Sequence, residues 1–477
     1  MTKKVLAAMF ISTLIFPRIL AGLDLDVESL AGKEWYGLYF GGDKAGYAMN
    51  EVSIGDDGQI VIVEDARFMI SMQGVRQDMR IFSRRTYEPD GALRSIEYEV
   101  EDATGTNTFE AQVDGDTMTL RTSLGGDVSV QELPAPEESL ADAMKLGRLV
   151  RDEPEIGDEL SYSLFEPLYQ REITGVSRIV DEEMRVLQGV ETKVYKIETL
   201  LEPLGLTTTS YVTEHGLTLE DQVDLLTMRL EPEELAKDVD YSNDVIISNA
   251  ALLDAPLENP RERETLALRI EGPLSEDHLF NDERQTLEAA NGDFRFKGRL
   301  LDVEDINPPE LPVTDESVAQ WLEPTPFVQS DHERVRDKAE EILDGETDAW
   351  EAARKLNAWV YENMRTTFSA QLSNTLDVLE TMEGDCTEHS VLFIGLARAA
   401  GIPAREVAGL IYVEGPDPGF YFHQWAKVWA GKWVDMDPTF GQDVADATHI
   451  KLSEGDLFEQ NRLLPLIGQI DVEVIDE

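Results

Sequence analysis

The chain of 477 residues contains a single cysteine, Cys386, set in Gly384-Asp385-Cys386-Thr387-Glu388-His389. A lone thiol closes no internal disulfide, and the remaining common reason to keep one is its reactivity. Downstream lie His423, in Phe422-His423-Gln424-Trp425, and Asp437, in Asp435-Met436-Asp437-Pro438-Thr439. A thiol, an imidazole and a carboxylate in that order supply a nucleophile, a base and a group that orients the base. Such a set attacks a carbonyl carbon and passes through a thioester.

Plainer readings compete with this one. A buried lone cysteine often serves as a small hydrophobe, and a histidine beside two tryptophans can belong to a core. His389 is a second candidate base, but it follows Cys386 by three residues on the same helix. A neighbour at that spacing runs along the helix wall rather than over the thiol. Asp385, Glu388, His389 and His423 lack any recognised metal-ligand spacing, so neither a metal nor another cofactor is expected.

The elements that must position these residues are legible nearby. Glu383-Gly384-Asp385 leads into a helix from Cys386 to Ala400, with Val391, Leu392, Leu396 and Ala399 as its apolar stripe. Gly401 and Pro403 end it. The thiol thus sits in the first helical turn, where free backbone N–H groups and the helix dipole favour a thiolate. The adjacent Asp385 opposes this unless its side chain caps the helix. Strands are expected at Ala404–Tyr412, Tyr421–Trp429 and Lys432–Met436. Alternation places His423, Trp425, Lys427 and Trp429 on one face, and Trp433, Asp435 and Asp437 on one face of the next strand. His423 and Asp437 share a face only if the loop around Ala430-Gly431 has odd length or a bulge. Asp437 is preferred to Asp435 because Pro438 ends the strand and leaves its carboxylate at the tip.

Helices are expected upstream, with Asp331 and Asp348 as N-caps, at 348–364 and at 374–382. Before them, Trp35 to about Leu230 reads as short alternating strands separated by Gly/Asp turns such as Gly55-Asp56-Asp57-Gly58. A short helix at Ser139–Leu149 interrupts the strands, and a smaller β segment lies between Thr265 and Asp302. The fold class is α+β. It comprises an antiparallel β-sandwich or half-barrel over 22–250, a small β segment over 251–310 and a helix-then-strand domain over 311–477.

The first 21 residues read as a secretory signal, with Lys3 and Lys4 ahead of the apolar run Val5–Phe16. That run is shorter than a membrane span needs, so no stable insertion is expected after cleavage. A periplasmic or secreted location follows. The formal charge of −54 disfavours nucleic acid and anionic membranes as partners, because phosphate groups would repel it.

Residues 348–442 resemble the transglutaminase-like (papain-like cysteine peptidase) superfamily, as a bacterial exported member. Gly384-Asp385-Cys386-Thr387-Glu388-His389-Ser390 is similar to the nucleophile motif. Leu396 to Arg405 resembles the helix-to-strand stretch, and His423-Gln424-Trp425 and Asp437-Pro438-Thr439 match the other two segments. The resemblance implies a papain-like core in which Cys386 is nucleophile, His423 general base and Asp437 its orienter. It also implies a second oxyanion donor upstream of the cysteine, for which Gln371 and Asn374 are candidates. The activity implied is acyl transfer from amide bonds of a protein or peptide substrate of the cell envelope. Peptidase or amidase chemistry and transglutaminase chemistry both fit. The rival reading is an inactive binding or scaffold protein.

Overall fold

The computed structural model describes residues 32–475 apart from 73–74, 103–104, 152, 188, 202–203, 224, 240–249 and 368–372. The signal-like leader and Gln371 therefore lie outside the described residues. The described chain divides into two compact units, 32–239 and 250–475.

In the first unit one antiparallel sheet of fourteen strands runs from Gly32–Phe40 to Leu226–Glu231. The first strand pairs with the second on one side and the last on the other, with Trp35 opposite Glu231. The strands Asp127–Pro134 and Glu159–Glu166 stand at the two ends of the strand order. Arg85 and Phe165 belong to strands nine steps apart in that order, about 43 Å in a flat sheet. Yet the Arg85 guanidinium donates to the Phe165 carbonyl at 3.0 Å, so the sheet curls back on itself. Of the two expected forms, a single curled sheet is the one observed. Strand alternation buries one face, with Tyr36, Leu38, Ile62, Phe68, Ile96 and Phe109 among its core residues. Two short helices, Leu140–Ala143 and Lys145–Leu149, occupy the stretch expected to be one helix and pack on the strands that follow.

The second unit is built around the cysteine helix, Cys386–Ala399. Val391, Leu392, Phe393, Ile394, Leu396 and Ala397 are all buried, because partners cover the helix all round. Helices Glu333–Leu343, Ala349–Asn363 and Thr375–Thr381 pack on it, as do the strands Ala404–Val413 and Gly419–Trp429. The strand Gly419–Trp429 pairs with Ala404–Val413 along one edge, and with Ala251–Leu252 and Trp433–Met436 along the other. Ile450–Glu454 adds to the far side of Ala404–Val413.

The small β segment is a four-stranded sheet, and Asp471–Val474 near the end of the chain completes it. Asp348 caps its helix as expected, accepting from the N–H groups of Trp350 and Glu351. The expected cap at Asp331 is instead His332, whose Nδ1 accepts from Arg334 N–H at 3.2 Å.

Candidate active site

Cys386 opens its helix behind a capping box. The Asp385 carboxylate accepts from Thr387 N–H at 2.8 Å, and Glu388 accepts from Asp385 N–H at 2.8 Å. The Asp385 side chain thus caps the helix. A Cβ on Gly384 would sit 2.3 Å from the Glu388 Cβ, so only glycine leaves room for this box. Cys386 itself is only partly covered.

The hairpin that carries His423 has the odd loop that shared facing requires. Trp429 pairs with Trp433 across Ala430-Gly431-Lys432, and Ala430 N–H donates to Lys432 O at 3.0 Å. Gly431 takes φ +91°, a conformation glycine adopts without strain. Lys427 therefore stands opposite Asp435, and His423 reaches Asp437 diagonally on the same face. His423 Nε2 lies 2.8 Å from Asp437 Oδ2. The ring also hydrogen-bonds the Cys386 thiol, for which Nδ1 is the nitrogen that remains. Trp425 stacks beside the imidazole at 6.1 Å between ring centres, and Phe440 meets it edge-on at 5.5 Å. All three residues singled out in the sequence are therefore brought together.

Electrostatics follow from these contacts. Burial disfavours a charged His423, but the Asp437 charge and then that of Cys386 outweigh it, and the ring is pushed up to about 9. Burial would raise Asp437; the charge and hydrogen bond of His423, joined by His449, hold it far below the usual carboxylate range. At Cys386, burial and the Asp385 charge raise the thiol, while His423 lowers it by charge and hydrogen bond.

The other candidates are committed elsewhere. His389 is buried, with Nδ1 2.7 Å from the Asp385 carbonyl. Asn374 caps the helix Thr375–Thr381 through Oδ1, while its buried Nδ2 has no hydrogen-bond partner among the described residues. Asp435 accepts from Trp425 Nε1 at 3.3 Å and from Arg284 at 3.1 Å.

One neighbour was not singled out in the sequence. His449 Nε2 lies 3.0 Å from the same Asp437 oxygen that His423 uses. One polar atom from each of His423, Asp437 and His449 lies within 4.8 Å of the other two, a spacing that a metal site also requires. Here Asp437 Oδ2 accepts from both rings, so shared protons account for the cluster.

Residues 336–438 match the family model of the transglutaminase-like superfamily. This segment is a transglutaminase-like core. Cys386, His423 and Asp437 all fall inside it, whereas His449 lies beyond its end. The chain is similar to an uncharacterized protein of Haemophilus influenzae, 33% identical over 119 residues, which are 24% of this chain and 31% of that relative. The chain spans less than a third of the length of the curated relatives it matches. Among solved structures, a suspected cysteine protease from Cytophaga hutchinsonii is 17% identical, with a TM-score of 0.30. That match covers 44% of this chain and 82% of the other. A β-barrel-like protein of a domain family of unknown function from Brucella abortus is 10% identical, with a TM-score of 0.31. It covers 42% of this chain and 94% of its own.

Proposed function

We propose that the protein is an exported, thiol-dependent acyl-transfer enzyme acting on amide bonds of proteins or peptides in the cell envelope. The reading rests on one observation: a single imidazole bonds a buried carboxylate on one side and the chain's only thiol on the other. The Cys386 thiolate adds to an amide carbonyl carbon, and the Cys386 backbone N–H at the helix start receives the developing oxyanion. The His423 imidazolium gives its Nδ1 proton to the leaving amine as the C–N bond breaks, which leaves a thioester. Neutral His423 then takes a proton from water as the water oxygen attacks the thioester. The carboxylic acid departs and the thiolate–imidazolium pair returns. Water is the favoured acceptor because it is abundant in a dilute aqueous compartment; an amine acceptor would make the enzyme a cross-linker.

Alkylation by iodoacetamide tests the reading. Cys386 is expected to react rapidly at neutral pH and to slow by about 10²-fold or more in His423→Ala. A thiol that reacts only after denaturation would defeat the proposal and favour a scaffold. Because His423 is pushed up to about 9, its imidazolium persists at neutral pH and is lost as pH rises through that value. Turnover is therefore expected to fall above about pH 9. Activity-based profiling of envelope extracts with wild type and Cys386→Ala would identify the substrate. Sequencing the N-terminus of the mature protein tests export, and a start at Met1 would remove that part of the proposal.

A further inference from the structure

Asp437 is held through both of its oxygens. Oδ1 accepts from the backbone N–H groups of Thr439 at 2.8 Å and Phe440 at 3.2 Å, which fixes the plane of the carboxylate. Oδ2 is shared between His423 Nε2 at 2.8 Å and His449 Nε2 at 3.0 Å. Behind it, His449 Nδ1 lies 3.2 Å from Asp446 Oδ1, an oxygen that also accepts from Thr448 N–H and O–H. The second Asp446 oxygen accepts from Gln442 Nε2 at 2.7 Å and from Arg261 Nη1 at 3.0 Å. Arg261 also donates to Thr448 Oγ1 and to the Tyr412 carbonyl. Its guanidinium lies 4.5 Å over the Phe440 ring, the ring that meets His423 edge-on.

Since backbone donors already aim Asp437, His449 is not required to orient it. What His449 changes is the charge that Oδ2 offers to His423. A carboxylate stabilised by a second donor is a weaker base toward the first.

We propose that Arg261, Asp446 and His449 form a positioning chain that sets how strongly Asp437 holds the His423 proton. The segment from residue 250 to 299, which contributes Arg261, is then part of the same machinery although it precedes the transglutaminase-like core. This inference rests on the reading of Cys386 and His423 as nucleophile and base. Among the described residues, the titratable groups acting on His423 are Asp437 and Cys386, with His389 and His449 also close to its ring.

The test is the titration midpoint of His423, read by NMR of full-length protein carrying ¹³C-labelled histidine. The chain has only six histidines, and His423→Gln assigns the signal. His449→Leu frees Oδ2 for His423 alone, so the midpoint is expected to rise by about one pH unit. His449→Gln keeps an N–H donor at the Nε2 position and is expected to restore the wild-type midpoint. Arg261→Gln, at a partly exposed position, removes a positive charge and weakens His449 as a donor, giving a smaller upward shift. An unchanged midpoint in folded His449→Leu would overturn the proposal, as would failure of His449→Gln to restore it. If His449→Leu does not fold, an unchanged midpoint in Arg261→Gln is decisive on its own. A merely structural role would lower the unfolding midpoint and leave the titration in place. The parent reading fails separately: if His423→Ala leaves Cys386 alkylation unaltered, the nucleophile–base assignment falls whatever His449 does.

Discussion

The two units bury charge in opposite ways. In the curled sheet, the buried Glu138 is matched on both oxygens, accepting from Arg85 twice, from Tyr87 O–H at 2.6 Å and from Phe165 N–H at 2.8 Å. Two equally buried carboxyls nearby are matched by fewer donors. Glu166 accepts a long 3.3 Å bond from Leu168 N–H and has one cation acting on it, Arg85, while Asp221 accepts from Ser210 O–H and has one, Lys145. Burial pushes both carboxyls up to about 8 and pushes Lys145 down to about 8.

Beneath the His423 strand, burial is as deep but the outcome reverses. Asp435 has Arg284 at 3.1 Å, Lys451 at 3.7 Å and Lys427 at 3.8 Å, and these cations hold it far below the usual range against burial. Glu454 and Asp282 complete the group, with Asp282 lowered to about 2 because Lys451 and Lys427 outweigh its burial. Depth of burial therefore does not decide the sign of a shift. The number of cations within reach does.

Three measurements would break or sharpen this contrast. The largest effect is expected for Asp435→Ala, which strips a shared carboxylate from three buried cations. Removing one partner of such a group costs about 3–5 kcal/mol. Urea denaturation of the full chain would show it, and a loss below about 1 kcal/mol would mean the cations do not depend on Asp435.

Acid should separate the units next. Glu166 and Asp221 have folded values raised above their unfolded ones, so their contribution is fully present below the unfolded value and is lost as pH rises toward about 8. Asp435 and Asp437 are depressed, so their contribution is complete above the unfolded value and is lost only in strong acid. Between pH 8 and 5, hydrogen-exchange protection, with the intrinsic rate at each pH divided out, should rise steeply in peptides from the curled sheet and less in peptides around residues 419–437, where His423, raised to about 9, gives a smaller gain. Equal behaviour in both units would refute the contrast. The smallest effect is expected for Glu166→Gln, which replaces a carboxyl already protonated at pH 6. It should change stability there by less than about 1 kcal/mol and flatten the pH dependence of the curled sheet.

What the sequence disclosed depended on how local the signal was. Cys386, His423 and Asp437 stand in short segments whose strand parity can be reasoned from Gly431 and the alternation of Trp425, Lys427 and Trp429. The cap at Asp348 was equally local. His332 displaced Asp331 as a cap because its ring nitrogen reaches the helix N–H, a use of histidine that cap preferences do not anticipate.

His449 and Asp446 carried almost no signal beyond the scarcity of histidine in the chain, since Asp446-Ala447-Thr448-His449 reads as an ordinary turn. Arg261 is 185 positions from Asp446, and Arg284 is 151 from Asp435. Pairings at that range exist only once the sheets have formed. The small β segment was visible as alternating strands, but its closure by Asp471–Val474 was not, because four residues near a terminus give too short a pattern.

The way the curled sheet closes has a consequence for how the protein is made. Tyr39 on its opening strand bonds Glu231 on its closing strand, 192 positions later. A ribosome must therefore deliver almost the whole unit before that seam can zip, and until then the opening strand offers an unpaired edge to any neighbouring chain. Premature termination anywhere before the closing strand would yield a fragment prone to clump rather than a smaller working module.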